Sequence, residues 1–363
     1  KELYTSRIDT AKLLKKYAII IGIKQRGFFD ENDRLKELSQ LGDPLEKLNK
    51  VIDWESFRYS LSKIFKKEAK GPGGRPPYDY VLMFKVLILQ RLYGISDAQA
   101  EYQIKDRLSF MRFLGLSLCD SIPDEKTIWL FRERLVQAKA IDTLFYRFTR
   151  KLEDKGLITR EGSIVDASFV DVPRQRNSKD ENDTIKKGEI PEEWKAEGKE
   201  NMVEQKDVDA RWTKKNDETH YGYKNHVKAD KDSKLIVKYE VTSAEVHDSQ
   251  MLGKLVDKRK DKALYADSAY RGEIIESCLG SRMENLICEK GYRNKPLTEE
   301  QKMSNKKKSS VRVRVEHIFG FMTNSMKGMS IRCIGIERAK FAIGLMNLVY
   351  NMSRYRYLVT AHA

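Results

Sequence analysis

Two aspartates stand where the logic of an apolar strand has no use for a charge. Asp166 interrupts SIVDASFV (Ser163 to Val170), and Asp267 ends the apolar run of KALYAD just before a turn. A carboxylate at such a place costs several kcal/mol unless it is paired or metal-bound, so both positions call for a functional explanation. Glu316, within VRVRVEHIFGFM, adds a third acid. On a helix, Val315, Ile318, Phe319, Met322 and Met326 form one stripe suited to packing on a sheet, with Glu316 at its margin and Arg312 one turn earlier on the same side. Gly320 follows one turn later, where a missing side chain admits another backbone or a DNA strand. Oxygen ligands from two strands and a helix suit two Mg²⁺ ions, with Mn²⁺ as a substitute. Set roughly 3.5–4 Å apart, such ions serve the attacking and leaving oxygens of a phosphoryl transfer.

Cations cluster around the same stretch. QKMSNKKKSSVRVR (Gln301 to Arg314) brings Lys306, Lys307, Lys308, Arg312 and Arg314 up to the glutamate, and Lys327 follows it. A basic run is ordinarily a solvated face, but one that abuts a phosphate-handling centre is expected to touch DNA. In HYGYKNHVKAD (His220 to Asp230), strand alternation puts Lys224 and His226 on one side and Tyr223 on the other. Lys224 is expected to contact phosphate and His226 to be structural. His247 and Asp248, in SAEVHDSQML, admit two readings, local turn capping or contact with the active site. His317 adjoins Glu316 in sequence, yet neighbouring helix residues diverge, so no metal role is assigned to it.

The chain as a whole agrees with a polyanion partner. Its 363 residues carry 69 Lys+Arg against 54 Asp+Glu, a formal charge of +15, and such a surplus drives association with nucleic acid by releasing counterions. With 40% hydrophobic and 34% charged residues, it has a core to bury but is too polar for a bilayer. The most apolar run, YVLMFKVLILQRLY (Tyr80 to Tyr93), is broken by Lys85 and Arg91 and is shorter than the roughly 20 residues of a span. It predicts a buried helix. No charged-then-apolar leader opens the sequence at Lys1, and Cys119, Cys278, Cys288 and Cys333 form no CxxC pair. A cytoplasmic protein with reduced thiols and no membrane partner is expected.

The elements that position these residues fall into two textures. Up to about residue 150, apolar residues recur at helical spacing, with start signals at Ser96 (SDAQ) and Ser121 (SIPD). GPGGRPP (Gly71 to Pro77) reads as a linker. From Gly162 onward, strands are predicted at Ser163 to Val170, His220 to Asp230, Lys234 to Thr242, Lys262 to Tyr270 and Glu284 to Lys290. Helices follow from about Val311 to Met326 and from Glu337 to Arg356, the latter with Phe341, Leu345, Leu348, Val349 and Met352 on one face. Between the first two strands, Asp171 to Lys215 holds 11 Lys/Arg and 12 Asp/Glu. It reads as a solvated or partly disordered loop, with Trp194 and Trp212 favouring a DNA-gripping alternative.

From about Tyr78 to Tyr357 the sequence resembles the DDE transposases of bacterial insertion sequences, most closely the IS-five family. The resemblance rests on YDYVLMFKVLILQRLYGISDAQAEYQI, TIWLFRERL, IVDASFVDVPRQRN, HYGYKNHVKAD, ADSAYRG and RVRVEHIFG. It implies that Asp166, Asp267 and Glu316 are the catalytic, metal-binding triad of an RNase H-like α/β domain with a mixed sheet flanked by helices. It also implies an all-helical DNA-binding region ahead of that domain. The domains are then residues 1–77, a helical arm and linker; 78–155, a helix-turn-helix-like DNA-binding domain; and 156–363, the catalytic domain with a charged insertion at about 171–218. The implied activity is cleavage at the terminal inverted repeats of an element and joining of the 3′-hydroxyl ends to target DNA, by a homodimer or larger assembly on double-stranded DNA.

Against the related IS-four pattern Tyr-x2-Arg-x3-Glu-x6-Lys, only Arg312 and Glu316 match. Ser309 and Thr323 stand at the Tyr and Lys places, and Lys327 is near enough to replace the latter. The short spacing from Asp267 to Glu316 leaves no room for the large β-rich insertion of relatives that process DNA through a hairpin, so that route is not carried over. The alternatives are an RNase H-fold metal-dependent nuclease that cuts without joining, and a DNA-binding repressor or inactive element protein.

Overall fold

The computed structural model describes residues 27, 29–65, 76–196, 200–215, 217–272, 277–293 and 295–361. Most of the GPGGRPP linker lies outside the described residues. Among the described residues, eight helices come first: α1 (Asp30–Gln40), α2 (Pro44–Val51), α3 (Glu55–Phe65), α4 (Tyr80–Tyr93), α5 (Asp97–Asp106), α6 (Leu108–Leu114), α7 (Glu125–Gln137) and α8 (Ala140–Asp154). The run Tyr80 to Tyr93 is the buried helix its composition predicts, capped by the Asp79 carboxylate and ended by Gly94 in the left-handed conformation. Ser96 caps α5 as expected. Ser121 does not cap α7, because Asp124 holds that place and accepts from the Thr127 amide at 2.7 Å. Leu45, Leu48, Phe57 and Leu61 of α2 and α3 are buried in the same core as α4 to α8. Residues 44–65 are therefore part of the helical bundle and not a separate arm.

A six-stranded mixed sheet follows. β1 (Ser163–Asp171) runs antiparallel to β3 (Glu218–Asp230). On its other side β3 pairs antiparallel with β2 (Arg211–Lys215) along its first residues and with β4 (Ile236–Ser243) along the rest. β5 (Ala263–Tyr265) and β6 (Glu284–Asn285) extend the sheet in parallel from β1. The order β2-β3-β1-β5-β6, with β4 also paired to β3, is the mixed sheet flanked by helices that the expected α/β domain requires. The strands predicted at Lys262 to Tyr270 and Glu284 to Lys290 contract to three and two residues, and β2 was not predicted. Its Lys-rich sequence has no apolar alternation to signal a strand.

The remaining helices are α9 (Lys179–Lys186), α10 (Glu200–Gln205), α11 (Leu252–Leu255), α12 (Glu299–Arg312), α13 (Glu316–Asn324) and α14 (Ile336–Ala361). The helix predicted from Val311 to Met326 is thus two helices, and the basic run lies in α12 up to Arg312, with Arg314 in the short turn Val313–Val315 that follows. Alternation sends Ile164, Val170 and Val227 into the core shared with the helical bundle, α13 and α14. Val165, Leu264 and Ala266 go into a second core with Leu252, Leu255 and Ile287. α14 is tied to the sheet by buried amides. Asn347 and Asn225 exchange hydrogen bonds of 2.8 and 3.0 Å, and Asn351 bridges the amide and carbonyl of Ile236. Gly344 lets α14 approach Tyr239, whose hydroxyl donates to Asp142 at 2.6 Å. A side chain at Gly344 would collide with that phenol.

The charged insertion is folded, contrary to the solvated loop its composition suggests. Ser178 and Glu181 form a capping box on α9. Trp194 is fully buried, and its indole donates to Glu181 at 2.6 Å. Asp207, also buried, accepts from the Tyr223 hydroxyl at 2.8 Å, linking the insertion to β3. Among the described residues, no helix is long and apolar enough to cross a membrane.

Candidate active site

The register of the parallel pair β1 and β5 brings the two strand aspartates together. Ser163 lies opposite Leu264 and Ile164 opposite Tyr265, so two residues further along each chain Asp166 and Asp267 stand side by side on the same face. β5 ends before Asp267, and that carboxylate caps the turn Ser268–Tyr270 by accepting from the Ala269 amide at 2.9 Å. Asp166 accepts from its neighbour, the Ala167 amide, at 2.8 Å. Burial pushes the Asp166 pKa up to about 6 and the nearby Asp267 charge adds to the rise, while the Ala167 amide, Arg312 and Lys215 oppose it.

Arg312, at the end of α12, reaches across to Asp166 with Nη1 3.1 Å from Oδ2. Its guanidinium is engaged by an internal carboxylate. Glu316 opens α13 one turn later and is exposed. Val315, Ile318, Met322 and Met326 are buried as the stripe requires. Gly320 has open space around it, so no close approach explains it. Among the described residues, no three His, Cys, Asp or Glu side chains converge on one point. The structure brings Asp166 and Asp267 together and leaves Glu316 exposed.

Tyr270 was not singled out from the sequence. It is buried, its hydroxyl has no hydrogen-bond partner among the described residues, and burial beside Asp166, Asp248 and Asp267 holds its pKa well above the usual phenol range. Lys215, on the unpredicted β2, was also missed. A buried phenol next to an isolated acid in ADSAYRG was the available signal, while nothing local marks Lys215.

Lys224 departs from the expected phosphate-binding role. It is buried, its ammonium donates to the Val246 carbonyl at 2.7 Å and lies 2.9 Å from Asp248. Asp248 is further neutralised by Lys215 at 3.9 Å. His247 takes the capping alternative, with Nδ1 2.7 Å from the Ser249 hydroxyl. His226 is structural, buried against Thr242, with burial lowering its pKa to about 4.

In the basic run, Lys306 and Lys307 are exposed on α12, but Lys308 donates to the Ile287 carbonyl at 3.0 Å and is largely covered. Arg314 is anchored to the Lys231 carbonyl and Asp232. Lys327 is exposed and folds over Gly94, with a left-handed backbone.

Residues 158–352 match the family model described as Transposase DDE domain, and residues 33–134 match Transposase domain (DUF772). The chain belongs to the DDE transposase domain family. The transposase also has a solved neighbour, the cryo-EM structure of a piggyBac transposase synaptic complex with hairpin DNA. The two are 12% identical over 88% of this chain and 76% of that one, with a TM-score of 0.43.

The acid pair of the transposase fits a hard divalent cation. Two adjacent carboxylates are the hard oxygen donors such an ion takes, and burial, with the Asp267 charge adding to it, raises the Asp166 pKa that a bound cation would lower. Asp166 and Asp267 could hold such an ion from fixed positions, and Glu316 is a carboxylate on the exposed first turn of α13.

Proposed function

We propose that this DDE transposase acts on the ends of an insertion sequence of the IS-four and IS-five group, cutting a phosphodiester at each end and joining the freed ends to target DNA. The observation that carries the reading is the pairing of Asp166 with Asp267 by strand register, inside the segment that matches the DDE family model. In the first step water forms a bond to phosphorus and a 3′-hydroxyl leaves. In the second, that 3′-hydroxyl attacks a target phosphodiester and displaces a target 3′-hydroxyl, so no net hydrolysis accompanies joining. Two Mg²⁺ ions, or Mn²⁺ in their place, would be held by Asp166, Asp267 and Glu316 and would supply Lewis-acid activation of attacking and leaving oxygens.

The chain's own residues prepare this site. Asp166 and Asp267 are rigidly positioned, one within a strand and the other on a capped turn. Arg312 balances Asp166 and is freed for a phosphate once cations replace it. Lys306 and Lys307 on α12 and Lys327 after α13 are exposed and would be available to DNA backbone. Two ends must be handled together, which supports a dimer or larger assembly on DNA.

The test is divalent-cation-dependent cleavage of duplex DNA spanning the boundaries that flank the gene, comparing the native chain with Asp267→Asn. Site-specific 3′-hydroxyl ends from the native chain alone, followed by joined products, support the reading. Cutting without joining would make the protein a nuclease, and tight end binding with no cut would make it a DNA-binding protein.

A further inference from the structure

A groove of about 810 Å³ runs between the C-terminal half of α8, the edge strand β4 and the turn after Val256. Seven cationic and three acidic residues line it. Part of that charge is internally matched. Lys228 is paired with Asp261 at 2.6 Å beneath the groove, Arg160 with Glu153 at 2.8 Å, and Lys260 with Glu153 at 3.5 Å. Arg150, Lys238 and Arg259 are not: their side chains make no hydrogen bond or ion pair among the described residues, and the two arginines are exposed. These three cations, with Lys258, outnumber the two remaining lining acids, Asp154 and Asp257, and an anion laid along the groove relieves that positive surplus.

The groove is distinct from the carboxylate pair. Lys238 is the register partner of Lys228, which stands opposite Val165, whereas Asp166 stands opposite Val227. Adjacent strand residues point to opposite faces, so the Lys228 and Lys238 side chains and Asp166 lie on different sides of the sheet. β4 is also two strands from β1. DNA at the carboxylates cannot fill the groove with the same phosphates.

We infer that this groove holds the sugar-phosphate backbone of a DNA segment other than the one being cut. Long, flexible cations along an open cleft suit a continuous polyanion, and interactions of this kind position DNA without reading its sequence. The inference rests on the DNA-processing reading above. The segment is either the inner part of a long element end or the target duplex, and the two sources separate in the test.

The triple variant Arg150→Ala/Lys238→Ala/Arg259→Ala is compared with the native chain on an element-end duplex of about 20 base pairs, on one of about 60, and in joining to target. The expected result is a slope of log affinity against log salt lower by about 2 to 3 on either the long end or the target duplex, at roughly 0.9 for each phosphate no longer neutralised, with cleavage of the short end unchanged. Weaker binding and cleavage of the long end assigns the groove to the inner element segment. Normal long-end binding with joining reduced tenfold or more, and a lower slope on target duplex alone, assigns it to target DNA. Arg150→Lys/Arg259→Lys should keep the native slope, and thermal melts check that the triple variant is folded. A native slope on every DNA overturns the inference while leaving the cleavage reading intact, since native cleavage tests that reading by itself. Loss of slope in the charge-keeping variant also overturns it.

Discussion

Arg312 Nη1 lies 3.1 Å from Asp166 Oδ2, joining residues 146 positions apart in sequence. The guanidinium holds part of the charge that a cation would hold, so the site is tuned between two positive partners. Arg312→Ala removes an interaction that lowers the Asp166 pKa, and the acid limb of the cleavage profile should shift to higher pH. Arg312→Lys should restore the limb in part, since the charge returns without the planar fork. A pH profile of cleavage rate checks this, and an unmoved acid limb would show that Arg312 serves only the DNA.

The raised pKa of Asp166 makes a signed prediction about stability. Its folded value is about 6 against an ordinary 3.8, so the folded chain retains a proton that the unfolded chain has released. Ionising Asp166 therefore costs stability as pH rises through that window, up to roughly 3 kcal/mol above it. Asp166→Asn should melt at a higher temperature than the native chain at about pH 8 and show no gain below about pH 4. Equal melting temperatures at both pH values would contradict the buried acid.

Divalent cations should act on the same balance. Millimolar Mg²⁺ or Mn²⁺ should raise the melting temperature of the native chain near pH 8, because a ligand bound only by the folded state stabilises it by mass action. Chelation should reverse the effect. Asp267→Asn, lacking one of the two adjacent charges, should show little or no cation response in the same melts, and a full response would place the cations elsewhere.

The basic face of α12 should divide by burial. Lys306→Ala/Lys307→Ala should leave melting unchanged and lower the salt slope of DNA binding by about 2. Lys308→Ala should cost stability instead, about 1 kcal/mol, because the Ile287 carbonyl loses one of its two charged donors, Arg271 Nη2 remaining at 3.0 Å. Salt titrations and melts on each variant separate the two effects. A slope that falls only with Lys308→Ala would reverse the assignment.

Trp194 tests whether the insertion is a folded unit. Trp194→Ala empties a fully buried site and removes the bond to Glu181, a loss of about 3–5 kcal/mol. Proteolysis should become fast within residues 178–206 while the sheet keeps its protection. Equal cleavage rates in native and variant chains would mean that the indole supports nothing.

Much of this protein was legible from local pattern. Alternation marked β1, β3 and β4, helical periodicity marked α4 and α14, Asp166 and Asp267 stood out because their charge violates the apolar runs around them, and Glu316 was picked out at the margin of an apolar helical stripe. These are properties of a few consecutive residues, and such properties do not depend on what the rest of the chain does. Composition failed in the insertion, where two capping residues and one buried indole outweigh a charged background. It failed again at Lys224, whose strand position was right and whose partner was not. Sequence alone determined which residues carry charge into the core and on which element each sits. Only the tertiary structure decided that β1 and β5 pair in the register that sets Asp166 beside Asp267, that α12 delivers Arg312 to that pair, and that Lys224 turns its charge to Asp248. Pairings across such separations are set by the packing of whole strands and helices, which no short stretch of sequence encodes.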